Sequence, residues 1–350
     1  MNTKRSNQVW LIVDSLTFGG IETHLLELAN GLKQHKVPVK VWLVKRYSSE
    51  PQLVNKLQAL GIDVGYLNQP ETHYLRYFIH LIKTQRPAVI HAHGYKASLL
   101  SKVARVLTGV KQISTYHAGE TPSGKVWIYD AIDRYSAFVS NHSISVSDKI
   151  SQKLPVSSAM FNNFIDDNDL PQSSGTSIAF VGRLSIEKGP DRFLKLAQLN
   201  PTLNFDVYGD GPMASELQSE ATRNITFHGH QTDMAAIWEN IRVLIICSRY
   251  EGLPMTALEA MGRSIPVISL DIGNLSHLIQ HQQNGFIVGS MDELNESLSR
   301  FISLDTKQLA SIKTEARQTI KLAYSASAVI PQLLDLYFTS QCHSDFQIEK

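Results

Sequence analysis

Two glutamates stand eight positions apart in the stretch SRYEGLPMTALEAMGRSIPVIS (248–269), directly after the apolar run IRVLIIC. The pattern predicts that Glu251 lies in the loop after a buried strand, and that Glu259 lies one turn inside a helix that starts near Met255. Paired carboxylates accept hydrogen bonds from vicinal hydroxyls, and the free amides of Met255 and Thr256 can meet phosphate or sugar oxygens. A capping glutamate followed by an exposed helical one is the plain alternative.

A basic pair occurs earlier, in the segment FVGRLSIEKGPD (180–191). This segment predicts a strand that ends at Gly182 and a helix that begins after it, with Arg183 and Lys188 between them. Fixed cations beside a strand end and a helix N-terminus suit a diphosphate, and they can neutralise charge on a leaving group without a metal ion. Two solvated surface cations are the alternative.

The stretch LTFGGIET (16–23) follows the first predicted strand. Gly19 and Gly20 allow a ligand to approach the backbone, and the helix beginning near Ile21 points its free amides at the same place, which favours an anion. The stretch is not G-x-G-x-x-G, so the dinucleotide fingerprint of Rossmann oxidoreductases is absent. A tight turn before a helix is the alternative.

Two further strand ends carry weaker signals, in VYGDGP (207–212) and FHGHQTD (227–233). Gly209 would let a nucleotide pass close to the backbone, and backbone groups near His230 could bond the edge of a base. Ordinary turns explain both segments equally well.

Histidines also occupy predicted strand ends, in VIHAHGYK (89–96) and STYHAGE (114–120). His91 and His93 share one face of a strand, but no third ligand is in view, so no metal site is expected. His117 could reach into a cleft, although a lone histidine is more often structural.

The composition fits a two-domain globular protein. The chain has 350 residues, of which 43% are hydrophobic and 19% charged, and it contains no run of 18 apolar residues. Asp14 interrupts the first apolar segment, which therefore predicts a buried strand rather than a signal peptide. Cys247 and Cys342 make no disulfide framework, so a cytoplasmic location is expected.

Charge is distributed unevenly along the chain. Residues 1–165 carry 19 Lys and Arg against 10 Asp and Glu, whereas the remainder carries 14 against 22. A basic first half is compatible with an anionic membrane surface or an anionic acceptor, and hence with peripheral attachment to the cytoplasmic face of the inner membrane. Ordinary drift of surface charge is the alternative.

Short β-branched runs alternate with helical patterns along the chain, apart from an acidic and Pro-, Ser- and Gly-containing break over 162–177. This rhythm predicts two α/β domains, each a doubly wound parallel sheet. Ligands of such sheets bind outside the carboxyl ends of the strands, where every stretch above falls.

Together these stretches resemble the retaining glycosyltransferases of family 4, of the glycosyl transferases group 1 type. The motifs that carry the resemblance span nearly the whole chain: FGGIE, VIHAHG, TYHAG, SVSDKI, NNFID, FVGRLSIEKG, VYGDGP, ITFHG, EGLPMTALEAM, PVIS and NGFIV. The resemblance implies a GT-B fold, with an acceptor-binding Rossmann-like domain (1–168), a donor-binding one (169–323), and a last helix (324–340) that crosses back to the first.

The resemblance also implies a role for each matching position. Glu251 would bind the donor sugar, with His117 near the reacting face of that sugar, and these two are the catalytic candidates. The remaining candidates contact the donor: Arg183, Lys188, Gly19, Gly20, Met255 and Thr256 at the diphosphate, and Glu259, Gly209 and His230 at the nucleoside.

The implied reaction moves a sugar from a nucleotide diphosphate donor to an acceptor hydroxyl with retention of configuration. The departing phosphate helps to deprotonate the acceptor, so neither an enzymic nucleophile nor a metal or other cofactor is expected. The donor is expected to be UDP-linked, the acceptor to be a saccharide or lipid-linked saccharide of polysaccharide or glycolipid biosynthesis, and nucleic acid is not expected as a partner.

Two departures from the family pattern concern loops near the donor. Ser264 stands where glycine is common, and DIGNLSHLI places Asn274 and His277 where a double glycine and a glutamate are common. Other GT-B enzymes, such as a nucleotide-sugar epimerase or a phosphorylase, remain alternatives, as does a non-catalytic sugar-nucleotide-binding partner. The last would be favoured by loss of the paired glutamates or the basic pair, and all four are present.

Overall fold

The computed structural model describes residues 6–15, 18–48, 50–68, 73–117, 125–231 and 233–339. Parts of three sequence stretches lie outside these described residues, namely residues 16 and 17 before Gly19, residues 118–120 after His117, and residue 232 after His230. Cys342 lies outside them as well.

Two parallel β-sheets form the framework, one of seven strands in the order β3-β2-β1-β4-β5-β6-β7 and one of six in the order β10-β9-β8-β11-β12-β13. The strands are β1 (Val9–Val13), β2 (Val39–Leu43), β3 (Asp63–Tyr66), β4 (Val89–His93), β5 (Lys111–Tyr116), β6 (His142–Ser145), β7 (Ala159–Met160), β8 (Ser177–Val181), β9 (Phe205–Tyr208), β10 (Ile225–Gly229), β11 (Ile241–Ile246), β12 (Val267–Leu270) and β13 (Phe286–Val288).

Helices connect most of the strands. They are α1 (Gly20–Gln34), α2 (Gln52–Ala59), α3 (Tyr74–Gln85), α4 (Tyr95–Thr108), α5 (Lys125–Tyr135), α6 (Asp148–Gln152), α7 (Pro190–Leu199), α8 (Ala214–Ser219), α9 (Met234–Trp238), α10 (Met255–Gly262), α11 (Leu275–Leu278), α12 (Met291–Ile302), α13 (Thr306–Thr319) and α14 (Ala326–Phe338). The sequence pattern does not predict β3, β7, β13, α5 or α6.

The central strands are apolar on both faces. Every residue of β1 (VWLIV) is buried, and β11 (IRVLII) is buried except at Arg242. Because helices cover both faces of a doubly wound sheet, such strands have no polar side, which is why they read as continuous apolar runs.

Each sheet has one point where its strand order reverses direction, and there neighbouring strands feed helices on opposite faces. In the first sheet it lies between β1 and β4, and in the second between β8 and β11. Loops diverge at such a switch point and leave a crevice at the carboxyl ends of the strands. The predicted site residues follow these four strands or end neighbouring ones.

The last helix, α14, belongs to the core of the first domain. Ile330 and Leu333 pack in one buried cluster with Val9 and Leu25, and a Cβ added at Gly31 of α1 would lie 2.8 Å from Ile330. An isolated parallel bridge joins Ile165 to Ser325 just before this helix. The chain therefore returns from the second domain to the first, as the family resemblance implies.

None of the described helices combines the length and the apolar character that crossing a bilayer requires.

Candidate active site

An ion pair stands where β8 and β11 end. Lys188 Nζ lies 2.8 Å from both carboxylate oxygens of Glu251, and Ser248 donates a hydrogen bond of 2.8 Å to Glu251 Oε1. Lys188 ends a short 3₁₀ turn after β8, and Glu251 lies in the loop after β11, on the other side of the switch point. The Glu251 side chain is 8% exposed and that of Lys188 33%, so the carboxylate is fixed while the ammonium stays accessible.

The loop after β12 holds the backbone of Glu251 in place. Asn274 N donates to Gly252 O at 2.8 Å. A Cβ added at Gly273, whose φ is +60°, would lie 2.5 Å from Glu251 O and 2.3 Å from Gly252 O, so only glycine fits there. The segment DIGNLSHLI, which departs from the family pattern, therefore holds the loop that carries the predicted sugar-binding carboxylate.

Arg183 follows β8 directly and is exposed. Burial alone would raise the pKa of Glu187, but hydrogen bonds from Ser185 and the backbone, with the charges of Arg183 and Lys188, lower that pKa overall. The two predicted cations thus act on one carboxyl and lie on one turn.

Glu259 lies one turn inside α10, where the sequence pattern predicts it. Trp238 Nε1 donates to Glu259 Oε2 at 3.1 Å. Burial raises the pKa of Glu259, while Arg263, the bond from Trp238 and the charge of Lys56 oppose that rise. Lys56 belongs to α2 of the first domain, so charged groups of both domains act on this carboxylate.

Helix α10 begins at Met255, as predicted, with Pro254 as its N-cap. The cap makes no side-chain hydrogen bond, and its carbonyl accepts from Ala257 N at 3.1 Å, which lies beyond the amides of Met255 and Thr256. Met255 is buried and Thr256 is partly exposed, and both lie four or five positions after Glu251. This helix start can therefore offer amides beside the ion pair.

Gly209 lies where the ends of three strands converge. Its φ is +141°, and an added Cβ would lie 1.8 Å from Gly182 O. Its amide donates to Gly229 O at 2.9 Å. The glycine is therefore required for packing between strand ends, and His230 projects next to this convergence as an exposed side chain.

Gly19 and Gly20 open the first helix of the first domain. The amide of Gly19 donates to Glu22 Oε2 at 3.0 Å, so a carboxylate already caps this helix. A Cβ added at Gly20 would meet nothing within 4 Å among the described residues. Of the two glycines, Gly20 therefore has the open space that a ligand needs.

His117 follows β5 and belongs to a group of histidines. His93 Nδ1 lies 3.0 Å from His117 Nε2, and both nitrogens of His91 are engaged, by Tyr337 at 2.5 Å and Thr115 at 2.6 Å. His24, from α1, joins His93 and His117 so that one ligand-capable atom of each lies within 4.8 Å of the others. The sequence pattern offers no third ligand beside His91 and His93, whereas the fold brings His24 and His117 to His93 and leaves His91 bonded elsewhere.

The described residues of the two domains touch across the cleft at several places. Gln52 Nε2 lies 3.4 Å from His230 Nε2, and Asn274 Nδ2 donates to Val146 O at 3.5 Å. A Cβ added at Gly252 would lie 3.9 Å from His117 O. The backbone of His117 and the loop that carries Glu251 therefore lie next to each other across the cleft.

Four residues of this site are not predicted from the sequence. Ser248 and Trp238 bond the two glutamates. From the first domain, Gln52 contacts His230 and the charge of Lys56 acts on Glu259. Gln52 and Lys56 stand four positions apart on α2, a spacing that places them on one helix face. This spacing is the sequence feature from which the two residues could have been identified.

Comparison with known families covers most of the chain. Residues 18–160 match the family model described as Glycosyltransferase Family 4, and residues 163–319 match the one described as Glycosyl transferases group 1. Together the two models span most of the chain and confirm the resemblance at the level of the family.

Two curated relatives align with most of the chain. The Campylobacter jejuni GalNAc-alpha-(1->4)-GalNAc-alpha-(1->3)-diNAcBac-PP-undecaprenol alpha-1,4-N-acetyl-D-galactosaminyltransferase is 25% identical over 310 residues, covering 82% of this chain and 86% of the relative. The Escherichia coli UDP-Gal:alpha-D-GlcNAc-diphosphoundecaprenol alpha-1,3-galactosyltransferase is 22% identical over 297 residues, covering 73% and 76%.

Among solved structures, the Anabaena protein Alr3699/HepE in complex with UDP and glucose superimposes with a TM-score of 0.82. The alignment covers 95% of this chain and 99% of that one, at 17% sequence identity. At this identity the likeness shows the fold, which confirms the predicted architecture of two facing Rossmann-like domains.

Proposed function

Because this chain belongs to the GT-B glycosyltransferases of family 4 and group 1, we propose that it transfers a hexosyl group from a nucleotide diphosphate sugar to an acceptor hydroxyl with retention of configuration. The observation that carries the proposal is the Lys188–Glu251 pair, held at the switch point of the second sheet.

The donor would lie with its diphosphate between the cations of the second domain and the open backbone of the first. Lys188 and Arg183 would bind its phosphate oxygens, with the amides of Met255 and Thr256. Gly19 and Gly20 would allow close approach from the other side, and Gly20 has the space for it.

The nucleoside would lie toward Glu259, whose carboxylate would accept bonds from the ribose hydroxyls. Gly209 and His230 would border the base, and the contact of Gln52 with His230 closes that end of the cleft. We propose a uridine diphosphate donor, since the E. coli relative is named for UDP-Gal and the Anabaena structure contains UDP.

Chemistry at the anomeric carbon would need no enzymic nucleophile. Glu251 would orient the donor sugar through its hydroxyls, while Lys188 would stabilise the negative charge that develops on the leaving diphosphate. An acceptor hydroxyl attacking from the side of that diphosphate could pass its proton to a phosphate oxygen, which would retain the configuration. Fixed cations would serve in place of a metal ion.

The acceptor is proposed to be a lipid-linked saccharide of glycolipid or polysaccharide assembly. Both curated relatives are named for acceptors on diphosphoundecaprenol, a membrane lipid. Such an acceptor requires the enzyme to work at a membrane surface, and we propose peripheral attachment through the first domain, whose residues up to 165 carry most of the basic excess.

Helix α5 supports membrane attachment because its polarity is inverted. Its inner face carries Asp133, which is 4% exposed and lies 2.6 Å from the buried ammonium of Lys102. Its outer face carries Trp127, Ile128 and Ile132, each about half exposed. A helix that buries its charge and exposes its apolar side chains fits an apolar surface outside the protein.

The exposed apolar surface extends beyond α5 onto its neighbours. The Tyr95 ring at the start of α4 stacks on Tyr129 at 6.1 Å, so the two helices lie side by side. Further exposed apolar side chains of these helices and the turn after them are Val103, Val106 and Leu107 of α4, Tyr135 at the end of α5, and Phe138 in the 3₁₀ turn that follows α5. We call these residues, with Trp127, Ile128 and Ile132, the α4–α5 surface.

The proposed function is tested by turnover. Purified protein is incubated with UDP- and GDP-linked hexoses and with undecaprenyl-diphosphate-linked saccharides, and release of nucleoside diphosphate is measured. We expect acceptor-dependent release from one UDP-linked donor in the presence of EDTA, with an α-linked product by NMR. A panel that yields no release would contradict the proposal, and a β-linked product would contradict retention.

A further inference from the structure

Three imidazoles lie together at the edge of the cleft, each from a different element. His24 comes from α1, His93 ends β4, and His117 follows β5. Their ring centroids are 5.0 to 5.5 Å apart, and one ligand-capable nitrogen of each lies within 4.8 Å of the others. Zinc binds histidine nitrogen at about 2.0–2.1 Å, so ligand nitrogens of a tetrahedral site are about 3.4 Å apart. Small side-chain adjustments therefore suffice to close the cluster on one ion.

The cluster contains more polar atoms than its hydrogen bonds satisfy. His24 Nδ1 and His93 Nε2 are buried without a hydrogen-bond partner, in side chains that are 6% and 1% exposed. An unsatisfied buried polar atom costs on the order of 1–3 kcal/mol, and a missing water or ion is a usual explanation. Two such atoms in one cluster indicate a ligand that binds more than one nitrogen, and a cation can accept several lone pairs at once.

The surroundings keep these imidazoles neutral. Burial lowers the pKa of His24 to about 4, and burial together with the neighbouring imidazoles lowers the pKa of His93 and of His117 well below the usual value. A neutral imidazole offers a lone pair to a metal without first losing a proton. Around neutral pH the cluster therefore competes well for a cation.

The neighbours hold the rings in place, as the outer shell of a metal site does. Phe164 packs edge-on against His24 with ring centroids 5.8 Å apart. His91, whose ring centroid lies 4.3 Å from that of His93, is itself fixed by Tyr337 and Thr115. Such support defines ring orientation before a ligand arrives, which reduces the entropy lost on binding.

We propose that His24, His93 and His117 form a zinc-binding site, and that zinc bound there inhibits sugar transfer. Three histidines are a known ligand set for zinc and leave a fourth position open to water. Inhibition follows because His117, coordinated to zinc, could no longer meet the donor sugar. The binding part stands on the cluster alone, whereas the inhibition part rests on the proposed function.

Binding is tested on full-length protein without a histidine tag, stripped of metal by a chelator. Cobalt(II) is added as a spectroscopic probe, and zinc affinity is measured by competition with a chromophoric chelator. We expect one tight site per chain and visible absorption of tetrahedral cobalt. His24→Gln and His93→Gln should each weaken zinc binding by at least about 100-fold, because outer-shell losses alone cost 10- to 100-fold. His80→Gln, on the exposed face of α3, is the matched control and should bind as the parent does.

Circular dichroism melting establishes that the variants are folded, and His24→Gln provides a second test if His93→Gln is unstable. Absence of a stoichiometric site in the parent, or equal affinity in parent and His24→Gln, would overturn the binding proposal.

Inhibition is measured as loss of nucleoside diphosphate release on adding zinc, and His24→Gln should be active and resistant to zinc. Binding without inhibition would overturn the regulatory part. A protein that binds zinc but shows no transfer in chelator would contradict the proposed function and leave the site established.

Discussion

At the level of single residues, Lys188 can donate hydrogen bonds to more than one acceptor. Its ammonium bonds both oxygens of Glu251, yet a third of the side chain is exposed. An ammonium has three donors, so it can keep the carboxylate and still bind a phosphate oxygen. The pair therefore couples the position of the sugar, set by Glu251, to that of the diphosphate, set by Lys188.

Replacing Lys188 with Ala should lower kcat/KM for the nucleotide sugar by about 10²–10³-fold, the usual cost of losing one donor that stabilises transition-state charge. Because the Glu251 carboxylate is 8% exposed, losing this partner leaves a nearly buried charge, so the free energy of unfolding should also fall, by about 1–3 kcal/mol. Steady-state kinetics and urea unfolding measure the two effects. Lys195→Ala, an exposed lysine on α7, is the matched control. Equal kcat/KM in the two variants would contradict the role of Lys188.

The residue types of this site can be predicted from the sequence, but their partners cannot. Glu251 and Lys188 stand at the ends of runs whose periodicity marks strands, and local pattern is enough to find such positions. Trp238 and Ser248 bond the two glutamates with ordinary side chains, and no spacing rule distinguishes them from core residues.

At the level of elements, α5 shows why a helix can escape prediction. A helix on a soluble core carries an apolar stripe toward that core and polar residues outward. Here the inward side chains include Asp133, bonded by Lys102 and Ser98 of α4, and the apolar side chains point outward. Periodicity alone does not tell which face is buried, because that depends on the polar surface that α4 presents.

We expect the triple variant Trp127→Gln, Ile128→Gln and Ile132→Gln to lose binding to vesicles that contain anionic lipid. Burying one such side chain is worth about 1.5–3 kcal/mol, so sedimentation with phosphatidylglycerol vesicles should fall at least about tenfold. Stability should change little, since these side chains are exposed in the folded protein.

The matched control for this surface is the double variant Leu199→Gln and Leu322→Gln. Both leucines are exposed apolar side chains outside the α4–α5 surface. It should sediment as the parent protein does, and parent binding should decline in neutral vesicles. Equal sedimentation of all three proteins would show that the α4–α5 surface is not the membrane contact.

At the level of the whole molecule, the contacts that close the cleft join residues far apart in the chain. Asn274 bonds Val146 across 128 positions, and Gln52 contacts His230 across 178. The alternation of strands and helices is a local pattern, so it predicts two domains with sites at their strand ends. How the domains meet depends on loop conformation and on α14, which local pattern does not encode.

A partly buried acidic cluster joins α1 to the connecting segment between the two domains. Asp166 N donates to Glu27 Oε2 of α1 at 2.7 Å, and Asn30 of the same helix donates to Asp166 Oδ2 at 2.9 Å. Burial raises the pKa of Glu27 to about 7, helped by the charges of Glu259 and Asp166 and opposed by Arg263. One titrating group is thus placed where the first domain, the connecting segment and α10 meet.

This placement predicts that the protein loses stability as Glu27 ionises. A carboxyl whose pKa is raised in the folded state stabilises that state fully below its ordinary value near 4.5, and the contribution is lost as pH rises through about 7. Buried histidines such as His24 act in the opposite sense, because their lowered pKa removes stability as pH falls.

The effect of Glu27 must therefore be measured as a difference in the free energy of unfolding between two proteins. Glu27→Gln keeps an oxygen for Asp166 N but cannot ionise, so it should gain free energy of unfolding relative to the parent between pH 5 and pH 8, by about 1–3 kcal/mol. Urea unfolding at both pH values measures this gain, and a difference that does not change with pH would mean that Glu27 does not titrate in this range.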